Sequence, residues 1–218
     1  MKRRFWRWLA PLLLVSVIAC TQDSNSTTSL AVGSTASALE VADAFVTAMS
    51  EGDYEEAAAL TFLEQMPWVV MAEGGSLSQA ASLEGDDLDM VAANYWRGFA
   101  QAAQIPQVAG DEVEETSVGG RQYAVVPLGF RLRLVLRDGE EWQVDVIASF
   151  APTIVNRLLE AAEVVEANTG SLADRMRELL ASQRPSVELA SVASGLPERT
   201  EEDMAALLDL LDDLSEDT

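Results

Sequence analysis

The stretch Phe130-Arg131-Leu132-Arg133-Leu134-Val135-Leu136-Arg137-Asp138-Gly139-Glu140-Glu141-Trp142-Gln143-Val144-Asp145 decides how this chain folds. Its first half alternates, with Phe130, Leu132, Leu134 and Leu136 on one face and Arg131, Arg133 and Arg137 on the other, the period of a half-buried strand. Asp138-Gly139 is a turn signal. Beyond it Trp142, Val144, Val146, Ala148 and Phe150 continue the alternation, with Gln143, Asp145 and Ser149 opposite, so a returning strand is expected to reach Phe150. Faces match across a strand pair only when partner residue numbers share parity, because side chains alternate. A two-residue turn sets Arg133 against Val144 and breaks the match. An odd loop, Asp138-Gly139-Glu140, pairs Leu136 with Trp142, Leu134 with Val144, Arg133 with Asp145 and Arg137 with Glu141. That register buries one apolar face and sets arginines beside acids on the other, each such pair worth about 0.2–1 kcal/mol.

Working outward, residues 113–117, 121–126 and 128–137 read as strands, with Gly119-Gly120 as a turn and Pro127 at a bulge or edge. Upstream, Leu39, Ala42, Phe45, Val46 and Met49 recur at helical spacing, and Asp53 is an N-cap for a second helix over 53–63. A loop with Pro67 and Gly74-Gly75 precedes a third helix over 86–104. Downstream, Ala151-Pro152 opens a helix to Asn168 and Ser171 caps a shorter one, while 185–195 reads as a helix turn or a loop. Thr200 and Asp203 form the capping box of a final helix. Its apolar stripe is Met204, Leu207, Leu208, Leu211 and Leu214, and its other face is acidic. The expected class is α+β: N-terminal helices packed on a curved antiparallel sheet over 37–150, followed by a C-terminal helical extension over 151–218.

Composition removes several functions. The 218 residues carry 14 basic and 36 acidic side chains, no histidine and one cysteine. A Ser-His-Asp or Cys-His engine is therefore excluded, the usual zinc donors are missing, and the lone thiol has no partner for an intrachain disulfide. Asp86, Asp87 and Asp89 are calcium-type ligands, but no Gly stands at the sixth loop position and no Glu at the twelfth, so the EF-hand pattern fails. No cofactor motif is present.

The N-terminus carries an address. Lys2, Arg3, Arg4 and Arg7 precede an apolar run over residues 8–19, too short to span a hydrocarbon core of about 30 Å. Residues 1–19 read as a signal peptide. The run ends in Val17-Ile18-Ala19-Cys20, which resembles the lipobox of bacterial lipoproteins. That resemblance implies cleavage after Ala19, lipid on Cys20, and attachment to the outer face of a membrane in the cell envelope. Thr21 in place of Asp implies the outer membrane where two exist. Residues 20–36 form a Ser/Thr-rich tether, and a flexible coil of that length reaches about 20–24 Å. Removing 1–19 leaves 10 basic against 36 acidic groups, a net charge of −26. Such a surface repels nucleic-acid phosphates and anionic headgroups, so the membrane is reached through lipid and no nucleic-acid partner is expected.

The order of elements also resembles a family. Two helices joined through Ser50-Glu51-Gly52-Asp53-Tyr54, a third helix, and a meander ending in Asp138-Gly139-Glu140-Glu141-Trp142-Gln143-Val144-Asp145 are similar to the nuclear transport factor-like, or cystatin-like, superfamily. The resemblance implies a cone-like sheet wrapped on a helix with a pocket at its mouth. In enzymatic branches that pocket holds an Asp, His or Tyr. Candidate pocket residues here are Trp68, Tyr95 and Trp96, with core or rim packing as their plainer reading; an arginine face of Arg131, Arg133 and Arg137, suited to an anion or, more plainly, solvated and paired with carboxylates; and Asp145 as a pocket base, with an Asp145–Arg133 salt bridge as the plainer reading. Absence of histidine favours a non-catalytic ligand-binding or protein-interaction module. The alternatives are a cone-fold isomerase- or cyclase-like enzyme using a pocket Asp, and an accessory subunit docking a protein partner through the acidic C-terminal helices.

Overall fold

Strands β1 (Glu114–Val118), β2 (Arg121–Pro127), β3 (Arg131–Arg137) and β4 (Glu141–Val144) form a four-stranded antiparallel meander in the order β1-β2-β3-β4. The register of β3 with β4 is the odd-loop one: Leu136 faces Trp142, Leu134 faces Val144 and Arg137 faces Glu141. Asp138 (φ 50°) and Gly139 (φ 76°) supply the left-handed backbone of the loop. The computed structural model describes residues 36–103, 112–128 and 131–216, so the signal peptide, the lipobox cysteine Cys20, nearly all of the tether and Phe130 lie outside the described residues.

The returning strand stops at Val144 and does not reach Phe150. Helix α6 (Val146–Glu166) begins directly after Asp145, so the helix expected from Ala151-Pro152 starts earlier and contains Pro152. The cause is a double periodicity. Val144, Val146, Ala148 and Phe150 alternate, but Val146, Ile147, Phe150, Ala151, Val155 and Leu158 also recur at helical spacing, and these latter residues are buried. Packing selects the second pattern. The boundary read at 150/151 consequently falls inside a helix, and residues 35–218 cluster as one compact unit.

Upstream helices are α1 (Ala38–Glu51), whose N-terminus carries a capping box of Ser37 and Glu40, and α2 (Tyr54–Ala59), capped by Asp53. α2 ends before residue 63 because the chain there pairs with the sheet. Thr61 bridges Val144 in parallel, with Phe62 N donating to Val144 O at 2.9 Å and Val144 N to Leu60 O at 2.8 Å, so the flank of β4 is covered. The expected Pro67 loop instead holds a 3-10 helix (Leu63–Gln65), α3 (Met66–Ala72) with Pro67 in its first turn, and α4 (Leu77–Ala81). Then comes α5 (Asp86–Ala102), whose first turn contains Asp86, Asp87 and Asp89, where the helix dipole favours anions.

Downstream, α7 (Ser171–Ala181) is preceded by Gly170, so Ser171 is its first helical residue and not its cap. Residues 185–195 are mostly helix, α8 (Arg184–Ser191). The final helix α9 (Glu198–Glu216) starts before Thr200, which lies inside it. Among the described residues no helix is long and apolar enough to cross a membrane.

Helices cover both faces of the sheet. Ala124, Val126, Leu132, Leu134 and Val144 pack against Val41 and Phe45 of α1 and Trp96 of α5. On the opposite face, Tyr123 and Val135 pack against Ala148 of α6, Leu189 of α8 and Phe62. The face read as arginine-lined and solvated is thus largely buried. A third cluster joins α3, α4 and α6 through α9, with Trp68, Leu158, Met176, Leu207 and Leu211 at its centre. Gly119 (φ 56°) lets α8 approach the β1–β2 turn, since a Cβ there would sit 2.7 Å from Pro185 Cγ.

Candidate functional site

The first N–H groups of a helix have no intrahelical acceptor, and at the buried start of α6 water cannot serve them. Side chains from distant parts of the chain do. Gln65 Oε1 accepts from Val146 N (2.8 Å) and Ile147 N (3.2 Å), and Asp145 Oδ1 accepts from Ala148 N (2.6 Å). The helical ladder then begins with Ser149 N donating to the Asp145 carbonyl at 3.1 Å. Gln65 Nε2 donates to Asp145 Oδ1 (2.7 Å), Ser186 Oγ donates to Asp145 Oδ2 (2.6 Å), and the Tyr123 hydroxyl lies 3.3 Å from Ser186 Oγ. Gln65, Asp145, Ser186 and Tyr123 are all 0% exposed. Burial holds the Asp145 carboxyl above its ordinary pKa against the opposing pull of these donors. Burial, and then the Asp145 charge, push Tyr123 up to about 12.

The Asp145–Arg133 salt bridge does not form. The backbones meet, with Asp145 N donating to Arg133 O at 2.9 Å, but no ion pair joins the side chains. Arg133 Nη1 instead donates to Ala148 O at 2.6 Å. Pro152 explains why. Having no N–H, it leaves the carbonyl four residues earlier, that of Ala148, without its helical donor, and the buried guanidinium takes the vacancy. Burial lowers the pKa of Arg133, and its Nε has no partner. Asp145 is therefore a helix cap in a sealed polar node, with both carboxylate oxygens committed. It touches no space a substrate enters.

The other predicted residues disperse. Trp68 lies in the helical cluster, its Nε1 buried without a partner. Trp96 lies in the sheet-side cluster, where its Nε1 donates to Thr61 Oγ1 at 2.8 Å and its ring meets Phe45 and Tyr95 edge-on, each at 4.9 Å. Arg131 is exposed at one end of β3, bordering a cleft of about 510 Å³ with Glu112, Glu114 and Pro127. Arg137 at the other end pairs with Glu64 (3.0 Å) and Asp138 (3.6 Å). Buried Arg133 separates the two, so the three arginines form no common anion seat. The apolar stripe of α9, with Met204, Leu207, Leu211 and Leu214, is consumed by its own core. Its acidic face, with Glu201, Glu202, Asp209 and Asp213, stays outward.

Tyr95 alone of these candidates borders a substantial apolar space. A groove of about 570 Å³ runs between α3, α5 and α6. Val69 and Phe150 are its buried floor, Tyr95, Phe99 and Ile154 its walls, and Glu73, Gly98 and Thr153 its exposed rim. Burial and the nearby Glu73 charge raise the Tyr95 hydroxyl above its ordinary pKa, so it remains a neutral donor. Glu73 itself is paired with Arg157 at 2.9 Å. No group of His, Cys, Asp or Glu suited to a metal ion occurs among the described residues.

Gln65, Ser186 and Gly98 escaped the sequence reading. The two polar residues meet Asp145 across 80 and 41 positions, and no local pattern marks them. Gly98 was legible as a glycine inside a helical run, a position where it weakens the helix and calls for a reason. No family model, curated protein or solved structure matches the chain.

Proposed function

We propose that this chain is a lipid-anchored protein of the bacterial cell envelope, held outside the cytoplasm by Cys20, whose folded part binds a ligand and catalyses no reaction. One observation carries the binding part: the groove between α3, α5 and α6 is open and apolar, with volume in the range of small-molecule sites. Its lining brings two hydroxyls, an amide and one ion-paired carboxylate, but no histidine, cysteine or lysine. The enzyme reading required a reachable carboxylate, whereas Asp145 is enclosed and spends its oxygens on capping α6. The order of helices and meander supports reading the first part of the chain as a variant of the cone-shaped superfamily, with Trp96, Phe45 and Phe99 filling the space beneath the sheet.

The anchor rests on Val17-Ile18-Ala19-Cys20 and on the apolar run before it. Intact-mass analysis of chain purified from bacterial membranes is expected to find a diacylated N-terminus at Cys20, and Cys20→Ala is expected to release the protein into the soluble fraction. A Cys20→Ala chain that stayed equally membrane-bound would defeat the anchor. For the groove, saturable binding of the neutral dye Nile red at one site per chain is expected, and a non-saturating signal would remove it as a binding site.

A further inference from the structure

Gly98 stands inside α5, a little over one turn before its end, and glycine within a helix destabilises it by roughly 0.5–1 kcal/mol relative to alanine. Nothing in the packing asks for it. A Cβ built at Gly98 meets no atom within 4 Å, and its backbone is ordinary helix. What it borders is the groove, on the same helix as Tyr95 and Phe99. A side chain here would project into that space, so the missing one keeps the groove open.

The chemistry of the walls selects what enters. Val69, Val91, Phe99, Phe150 and Ile154 offer hydrocarbon and aromatic surface. The lining contains no cation, and its single charge is the carboxylate of Glu73. An anion would find no countercharge there, on a mature chain already at −26. A cation would find Glu73 already held by Arg157. Tyr95 is the wall's phenol, and no described residue hydrogen-bonds its hydroxyl. Resting on the binding role proposed above, we propose that the groove takes an uncharged, mainly hydrocarbon molecule bearing one acceptor for the Tyr95 hydroxyl, and that Gly98 is the residue that admits it.

The test titrates the folded chain with Nile red and then displaces the dye with three probes sharing one alkyl tail: dodecanol, dodecanoate and dodecylammonium. Dodecanol is expected to displace it, and the two charged probes at least about tenfold less well, the difference of roughly 1.4 kcal/mol that one uncompensated charge readily exceeds. Gly98→Leu, which fills the space from α5, is expected to weaken Nile red at least about tenfold while thermal unfolding stays cooperative. Thr153→Trp blocks from the opposite rim and serves should Gly98→Leu misfold. Tyr95→Phe is expected to weaken dodecanol by about three- to tenfold through the lost hydrogen bond. Equal displacement by dodecanoate or dodecylammonium would overturn the ligand class and leave the binding site standing. Undiminished dye binding in folded Gly98→Leu and Thr153→Trp would overturn the role of Gly98 and place the dye elsewhere. No saturable dye binding in the parent chain would defeat the binding role itself.

Discussion

The node at Asp145 caps the start of helix α6, the groove at Tyr95 opens beside Phe150, Thr153 and Ile154 further along it, and the two differ in nearly every respect. The node concentrates the chemistry a sequence invites one to look for: a buried carboxylate of raised pKa, a serine and an amide joined by contacts of 2.6–3.4 Å, and a phenol 3.3 Å from the serine. Yet it is sealed, and its donors and acceptors are matched to one another. The groove has little polar chemistry and stands open. A perturbed carboxylate signals function only where something can reach it. Here the perturbation is the by-product of starting a helix inside the protein.

This contrast can be broken most forcefully at the node. Asp145→Ala removes the α6 cap and strands Gln65 Nε2 and Ser186 Oγ, an expected loss of about 3 kcal/mol, or roughly 6–12 °C in Tm by calorimetry. Dye binding at the groove should persist in whatever fraction remains folded. A loss of binding without a loss of stability would make the node part of the site.

The next effect is about 1 kcal/mol and concerns coupling. Arg133→Met leaves the Ala148 carbonyl without a donor, but in a chain that also carries Pro152→Ala the restored N–H reaches that carbonyl along the helix. Chemical denaturation of the four chains of this double-mutant cycle should find Arg133→Met less damaging beside Pro152→Ala than alone. Strict additivity would mean that the guanidinium does not answer the proline.

At the groove the expected sign reverses. Gly98→Ala should stabilise the chain by about 0.5–1 kcal/mol, because it restores helix propensity and meets nothing within 4 Å. A destabilised Gly98→Ala would mean that α5 is tighter there than its surroundings indicate.

The smallest effect separates charge from shape at Asp145. Asparagine keeps the Oδ1 contacts to Gln65 and Ala148, and its amide can donate to Ser186 Oγ, so Asp145→Asn should lie within about 1 kcal/mol of the parent at neutral pH. Its pH profile should differ. The folded carboxyl titrates above its ordinary range, so between the unfolded and folded pKa values the native state binds the extra proton. Stability contributed by Asp145 is therefore full below the unfolded value and falls as pH rises through the folded one. Relative to Asp145→Asn, the parent should gain stability as pH drops from neutral towards about 4, read from denaturation midpoints at each pH. A parallel pair of profiles would mean that the carboxyl is not raised.

What the sequence made legible follows from where each constraint resides. Parity between Leu134 and Val144 is a local rule, and it set the hairpin register without any knowledge of the rest of the fold. The helical stripes of α1 and α9 were readable for the same reason. Asp145 was misplaced because residues 144–150 satisfy two periods, and the deciding partner, Gln65, lies 80 positions away. Pro152 was the available clue, since a proline well inside a helix asks what answers its missing bond. The burial of Arg133 was illegible because α8, which helps cover that face, was unresolved between helix and loop. Tyr95 was selected for its aromaticity, but the space beside it owes as much to Gly98, a residue noticed only by what it lacks.

The meander leaves β1 as the outermost described strand, while Leu60–Phe62 occupies the flank beyond β4. β1 begins Glu114-Glu115, both exposed. Copies tethered side by side on a membrane would meet at high local concentration, and an uncapped strand is where they would zip together. Two such edges approaching would bring carboxylates into the joint. A pair of glutamates would then do at this edge what the Leu60–Phe62 segment does beside β4.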